Sequence, residues 1–487
     1  MRRYIIPLLV ICLFVASNLV VYAGYPDPGT GKTNIFMQNL GTQPASVNLE
    51  FTTGDTGGQA WTTDTGSEIP PKASRYVLYS NFGVNDGWAG AVEVSATEPL
   101  AAIVNMFWDK PGLATAATYT GVDAPGYGVY LPLLALRPDL QISRMTVQNT
   151  EGSEAHITIS FYDRDGNAAG TKTDTIPAKS EKTYSMDTLA PNFSATKGMG
   201  SAYISSDTKI AAIASQHWTD ASEAGSGFTT GDTTLWIPGV FRKNFGGDLW
   251  NYNATQIQNL DDQPANIHVQ FIKLDNTVTY EFDDVVAPKS TKAYNTLLQG
   301  TQDLDMFNAM TAALGTYWQG TMKVVSTNGK HLAGLSIMFP YSQPGLRDSL
   351  SFNAIRDSDA TDTGLSFPAV YRKRTGGTDA QWSTSLIQNI TNTAGQVEVR
   401  FFRAADGTEI AGGPWTVNIP ANGSVRLNLK DGLELPQSAL TALGTYFSGA
   451  MLVTPKTSGM RIIGVTNIYW DGTNRSSGYD GFPVPTN

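Results

Sequence analysis

The chain has 487 residues, a formal charge of −10 and one cysteine. It is longer than a single hydrophobic core serves, and its acidity with few basic clusters excludes the phosphate contacts that nucleic-acid binding rests on. Cys12 lies at the extreme N-terminal side, which excludes disulfide staples, thiol catalysis and cysteine-ligated zinc or haem from the rest.

In chain order, residues 1–23 read as an export signal. Arg2 and Arg3 precede a largely apolar run from Ile5 to Val21, and Val21-Tyr22-Ala23 offers an Ala-ended cleavage site before Gly24. Ile11 is too large to precede a lipidated cysteine at Cys12. No later stretch approaches about eighteen consecutive apolar residues, so no membrane span is expected after processing.

One module is then written four times. Gln-Asn closes an alternating run at Gln38-Asn39, Gln148-Asn149, Gln258-Asn259 and Gln388-Asn389. Twelve positions after each asparagine a phenylalanine ends the next alternating run: Phe51, Phe161, Phe271 and Phe401. Short alternating strands with turn residues between them predict antiparallel β-sandwiches. The expected modules are 24–112, 125–222, 232–342 and 365–478, with a polar linker at 343–364 and a tail at 479–487.

Module two shows the plan. Tyr130-Leu131-Pro132-Leu133 opens it, Ser143 to Gln148 and Ala155 to Phe161 alternate, and Asp165-Gly166 signals a hairpin. A Pro-to-Ser turn recurs at Ile69-Pro70, Ile176-Pro177, Pro288-Lys289 and Ile419-Pro420. The last strand carries a small residue followed by a branched one: Ala102-Ile103, Ala212-Ile213, Gly334-Leu335 and Gly464-Val465. Five residues further stand Trp108, Trp218 and Trp470, with Pro340 in module three. Modules three and four share Ala-Leu-Gly-Thr-Tyr at 313–317 and 442–446, preceded by apolar residues at helical spacing, which predicts one short helix in each.

The tandem sandwiches resemble the immunoglobulin-like or fibronectin-like repeats of bacterial surface and secreted proteins, over nearly the whole chain after residue 23. No Cys…Trp…Cys framework is present. The resemblance implies an extracellular structural or adhesive role.

Candidate chemistry is sparse. Asp163, Asp165 and Asn167 have oxygens at alternate positions, as a calcium loop would, but no glutamate completes an EF-hand, and a plain hairpin tip is the favoured reading. Asp357, Asp359 and Asp362 are a second calcium candidate in the linker, and no other cofactor is expected. His156, His217, His268 and His331 are scattered, and no nucleophile-elbow, Walker-type or His-Glu-x-x-His motif occurs. Trp108, Trp218 and Trp470 could stack sugar rings or cover core ends. The repeated asparagine most simply bonds its own turn.

The expectation is a secreted, non-enzymatic structural or adhesive protein of the cell surface or extracellular matrix, forming a rod. A glycan-binding array is the rival and a secreted hydrolase the third reading. Partners would be further copies, cell-surface proteins or polysaccharides. Modules two to four open with a strand around a proline, whereas Gly24 to Gly29 offers module one none. The tail residues Phe482, Pro483 and Val484 resemble such a strand, which suggests head-to-tail assembly by strand donation; the simpler alternative is a tail that folds back on module four or is disordered.

Overall fold

The computed structural model describes residues 6–10, 25–54, 61–64, 68–83, 88–110, 113–193, 196–246, 250–343, 346–372, 380–470 and 475–485. The fold is all-β, with antiparallel strands throughout and, among the described residues, α-helices only at Met186–Leu189, Leu304–Leu314 and Gln437–Leu443. The last two are the expected helices of repeats three and four. Asp303 starts one of them by accepting bonds from the amides of Asp305 and Met306, the usual way to satisfy orphan donors at a helix N-terminus.

Repeat three displays the sheet plan. Val278–Val286, Ala265–Lys273, Tyr317–Ser326 and the opening strand Thr234–Asn244 form the first sheet. Thr291–Asn295, Trp250–Asn259, Leu332–Phe339 and Leu350–Asn353 form the second. The opening strand also pairs with Trp250–Asn259 and so joins the two sheets. Its register shifts between Pro238 and Val240, at the proline that cannot donate to a ladder. The four phenylalanines are fully buried between the sheets, each packed on another aromatic ring, as Phe271 is on Trp318 at 5.8 Å.

Each repeated asparagine is a buried clamp. Asn39 donates to the carbonyls of Gln43 and Ile69 (2.7 and 2.8 Å) and accepts from the amide of Gly41 (2.8 Å). Asn149, Asn259 and Asn389 make the same three kinds of bond. The side chain thereby ties its own turn to the end of the strand in the opposite sheet.

The repeats close into a ring, which corrects the expected rod. Ala211, Ile213 and Ala224 of repeat two lie in the core of repeat one. Leu335, Ile337 and Phe339 of repeat three pack on Leu133 and Trp218 of repeat two, and Leu386 and Val465 of repeat four enter the core of repeat three. Phe36 and Ile103 of repeat one then enter the core of repeat four. The branched residue of the small-branched pair therefore always faces the preceding repeat. Polar contacts follow the same cycle: Gln38 accepts from Ser366 (2.6 Å), Gln258 donates to the carbonyl of Ala202 (3.4 Å) and Gln388 accepts from Thr321 (3.0 Å). A heterologous contact repeated with a rotation that closes gives a ring rather than a filament.

Two expected boundaries change with this. Residues 343–364 are not a linker: Leu350–Asn353 is a buried inner strand of repeat three and Ile355–Arg356 pairs with the opening strand. Two of its serines are buried against backbone, Ser349 donating to the carbonyl of Ser222 (3.0 Å) and Ser351 to that of Ala224 (2.9 Å). Residues 479–485 fold back on repeat four, the simpler alternative to strand donation. Tyr479 and Asp480 end the inner strand Ser476–Asp480, and Phe482–Pro483 pairs with Ser366 and Leu365. That pairing matches the one Ile355–Arg356 makes in repeat three, so Phe482, Pro483 and Val484 cover an opening strand instead of imitating one.

Candidate functional site

The innermost strand of each second sheet lies at the ring axis: Leu113–Thr120, Ser222–Ser226, Leu350–Asn353 and Ser476–Asp480. Successive inner strands touch closely enough that side chains of one bond the backbone of the next, as Ser226 does with the carbonyl of Thr120 (2.7 Å) and Ser476 with that of Ser349 (3.2 Å). Gly478 leaves room for this: a Cβ there would sit 2.8 Å from the Ser351 carbonyl oxygen.

Register identifies four equivalent axial positions. Thr120, Ser226, Asn353 and Asp480 stand opposite Ile103, Ile213, Leu335 and Val465, the four branched residues of the repeat. All four line a cavity of about 480 Å³ at one end of the axis. Its walls include Leu100, Val122, Phe228, Ile355, Ile463 and Phe482, so every repeat contributes. A separate space of about 10 Å³, room for about one water, lies between the inner strands. Thr120, Ser226, Asn353 and Asp480 line both spaces and so form the floor between them.

The chemistry of that floor is neutral. Burial, reinforced by the neighbouring Asp359 carboxylate, pushes the Asp480 carboxyl up to about 8, against a smaller pull from the Asn353 amide. Asp480 thus carries its proton at neutral pH. Asn353 Oδ1 and Asp480 Oδ1 are both buried without a hydrogen-bond partner. Buried polar atoms are nearly always paired, so two orphans in residues that line one cavity are exceptions that a bound water or ligand would satisfy. At the rim, Arg356 forks onto Asp359 with two 2.7 Å bonds and also reaches the Thr230 hydroxyl, which neutralises the charge there.

Two more acids lie along the axis. Burial pushes Glu223 up to about 8, against a smaller pull from the Ser351 hydroxyl, and raises Asp348 well above the carboxylate range. His217, also buried, sits between the hydroxyls of Ser215 and Ser222 (3.0 and 3.1 Å) with its ring edge-on to Trp108.

The expected site residues lie elsewhere or have other partners. Trp108 and Trp218 are 2% and 7% exposed, leaving no face for a sugar ring, while the partly buried Trp470 meets Phe107 in the seam between repeats one and four. Asp163 Oδ1 accepts from the amides of Asp165 and Asn167 (3.0 and 2.9 Å) and its Oδ2 from the Asn167 side chain (3.1 Å), so the hairpin tip engages both oxygens. Asp357 receives Trp236 Nε1 (3.0 Å) and Arg461 (3.2 Å), Asp359 receives Arg356, and Asp362 is exposed. No group of three or more His, Cys, Asp or Glu among the described residues is placed to hold a metal. Sequence reasoning missed Asn353 and Asp480 because the hairpins leading to the axis differ in length, so the equivalent positions share no fixed offset.

No family model matches the chain, and no curated protein does. Among solved structures it aligns with a viral chemokine-binding protein from rodent gammaherpesvirus Peru at 8% identity, covering 75% of this chain and 88% of that one, with a TM-score of 0.14. It also aligns with a glycoside hydrolase of family 32 from Bifidobacterium adolescentis at 7% identity, covering 94% of each, with a TM-score of 0.12. Scores this low carry no inference.

Proposed function

We propose that this is a secreted, non-enzymatic adhesive protein of the cell surface or extracellular matrix, and that it captures a carbohydrate in the axial mouth. The observation that supports this most is the pair of buried, partnerless oxygens on Asn353 and Asp480, two residues that line a cavity of mixed polar and apolar walls. Two hydroxyls, an amide and a protonated carboxyl offer both donors and acceptors without net charge, which suits the hydroxyls of a neutral sugar. The test is calorimetric titration with a panel of neutral oligosaccharides. Asn353→Leu and Asp480→Leu should each weaken binding at least tenfold with an unchanged melting temperature. A panel without a binder, or variants that bind as well as the parent, would sink the reading.

A hydrolase is the second reading, favoured by one observation: a carboxyl raised to about 8 beside a second carboxylate, Asp359, inside a cleft. Release of reducing ends from any bound oligosaccharide, abolished in Asp480→Asn, would replace capture by catalysis.

A further inference from the structure

The opening strands of repeats two, three and four share one register. Leu131, Ile237 and Phe367 stand opposite Ala202, Met322 and Met451, and two residues earlier Val129, Leu235 and Leu365 stand opposite Ile204, Val324 and Val453. All six opening-strand residues are buried. In repeat one the equivalent acceptor is Gly90–Ala96, because Val92 pairs with Phe51 as Ala202, Met322 and Met451 pair with Phe161, Phe271 and Phe401. The strand that fills its opening slot is Ile6–Val10, with Val10 opposite Val92 and Leu8 opposite Val94. These residues are the apolar run of the expected export signal. Signal removal and completion of repeat one therefore compete for the same five residues.

We propose that in the exported protein the free edge of Gly90–Ala96 takes an extended strand from a different polypeptide, antiparallel, with apolar side chains at alternate positions. The acceptor is suited to this. Val92 and Val94 are fully buried core residues, and loss of the neighbouring strand frees one edge of backbone donors and acceptors beside them. A second copy of this chain has no spare donor among its described residues. Each opening strand is already paired in its own repeat, and Phe482–Pro483 is held against Leu365 and Ser366. This inference is independent of the axial mouth.

The probe is a synthetic peptide spanning residues 363–371, which carries Leu365 and Phe367 in the required spacing. N-terminal sequencing of the exported protein comes first; retention of residues 6–10 overturns the proposal at once. Protein beginning at Gly24 should bind the labelled peptide one to one in fluorescence anisotropy, with a raised melting temperature. A control with Leu365→Asp and Phe367→Asp should bind at least tenfold more weakly, and the full chain with residues 1–23 should not bind. If protein beginning at Gly24 is unfolded alone, the peptide added during refolding should restore the folded state. Failure to bind or to rescue, or equal binding of the control, overturns it. Self-association that excludes the peptide would make a second copy the donor and refute the assignment to a different polypeptide.

Discussion

Asn39, Asn149, Asn259 and Asn389 show how one side chain can hold a fold unit. Each satisfies backbone groups that would otherwise be buried without partners, and an unmade buried bond costs more than a made one contributes. Replacing any one by Ala should cost about 3 kcal/mol, read from urea unfolding, since about two or three backbone groups lose their bonds at once. Glu223 acts in the opposite sense. Its carboxyl has an ordinary value of 4.5 and is raised to about 8 by burial, so the folded chain keeps a proton that the unfolded chain releases. Its contribution is complete below about 4.5 and is lost as pH rises toward about 8, with a slope of about 1.4 kcal/mol per pH unit. Stability should therefore fall between pH 5 and 8, and Glu223→Gln should flatten that fall while raising stability at pH 8. A parent and variant with parallel profiles would contradict the assignment.

At the scale of elements, polarity misleads about burial. The inner strands Ser222–Ser226 and Ser476–Asp480 are short and rich in serine and glycine, yet they are largely buried. Small polar side chains allow close approach and bond the next strand's backbone. Tyr479 illustrates what they anchor: its buried hydroxyl accepts from the Ala369 amide (3.1 Å) and donates to the Ala369 carbonyl (2.9 Å). Deleting residues 479–487 should lower the unfolding free energy by about 3–5 kcal/mol, the cost of emptying a buried aromatic site. A dispensable tail would instead leave the transition unchanged. The helix at Leu304–Leu314 offers a milder test, with Asp303→Ala costing about 1 kcal/mol through the lost cap.

At the scale of the molecule, cooperativity follows from shared cores. Ile213 belongs to the core of repeat one, Val465 to that of repeat three and Ile103 to that of repeat four. Repeats joined this way should unfold in one transition, whereas independent beads would show several. Ile103→Asp buries a charge in the seam between repeats one and four, where Arg475 also meets Asp109 at 2.7 Å. Solution scattering should then report a larger radius of gyration with circular dichroism little changed. An unaltered radius would mean the seam does not hold the ring closed.

The sequence by itself determined what depends on local alternation and fixed offsets. Four Gln-Asn strands, the buried phenylalanine twelve residues later, the all-β class and the two short helices were legible because each reflects period-two or helical spacing within a few residues. The asparagine's bond to its own turn was legible too, being a local bond. Tertiary structure decided whatever needed partners far along the chain. The small-branched pair gave no sign that its branched member serves the preceding repeat, since burial against a neighbour and burial within a sandwich leave the same apolar letter. Ring and rod differ only in the rotation of a repeated contact, which no residue spells out. The axial residues Asn353 and Asp480 meet Thr120 and Ser226 only after four sheets converge, through hairpins of unequal length that erase the sequence offset.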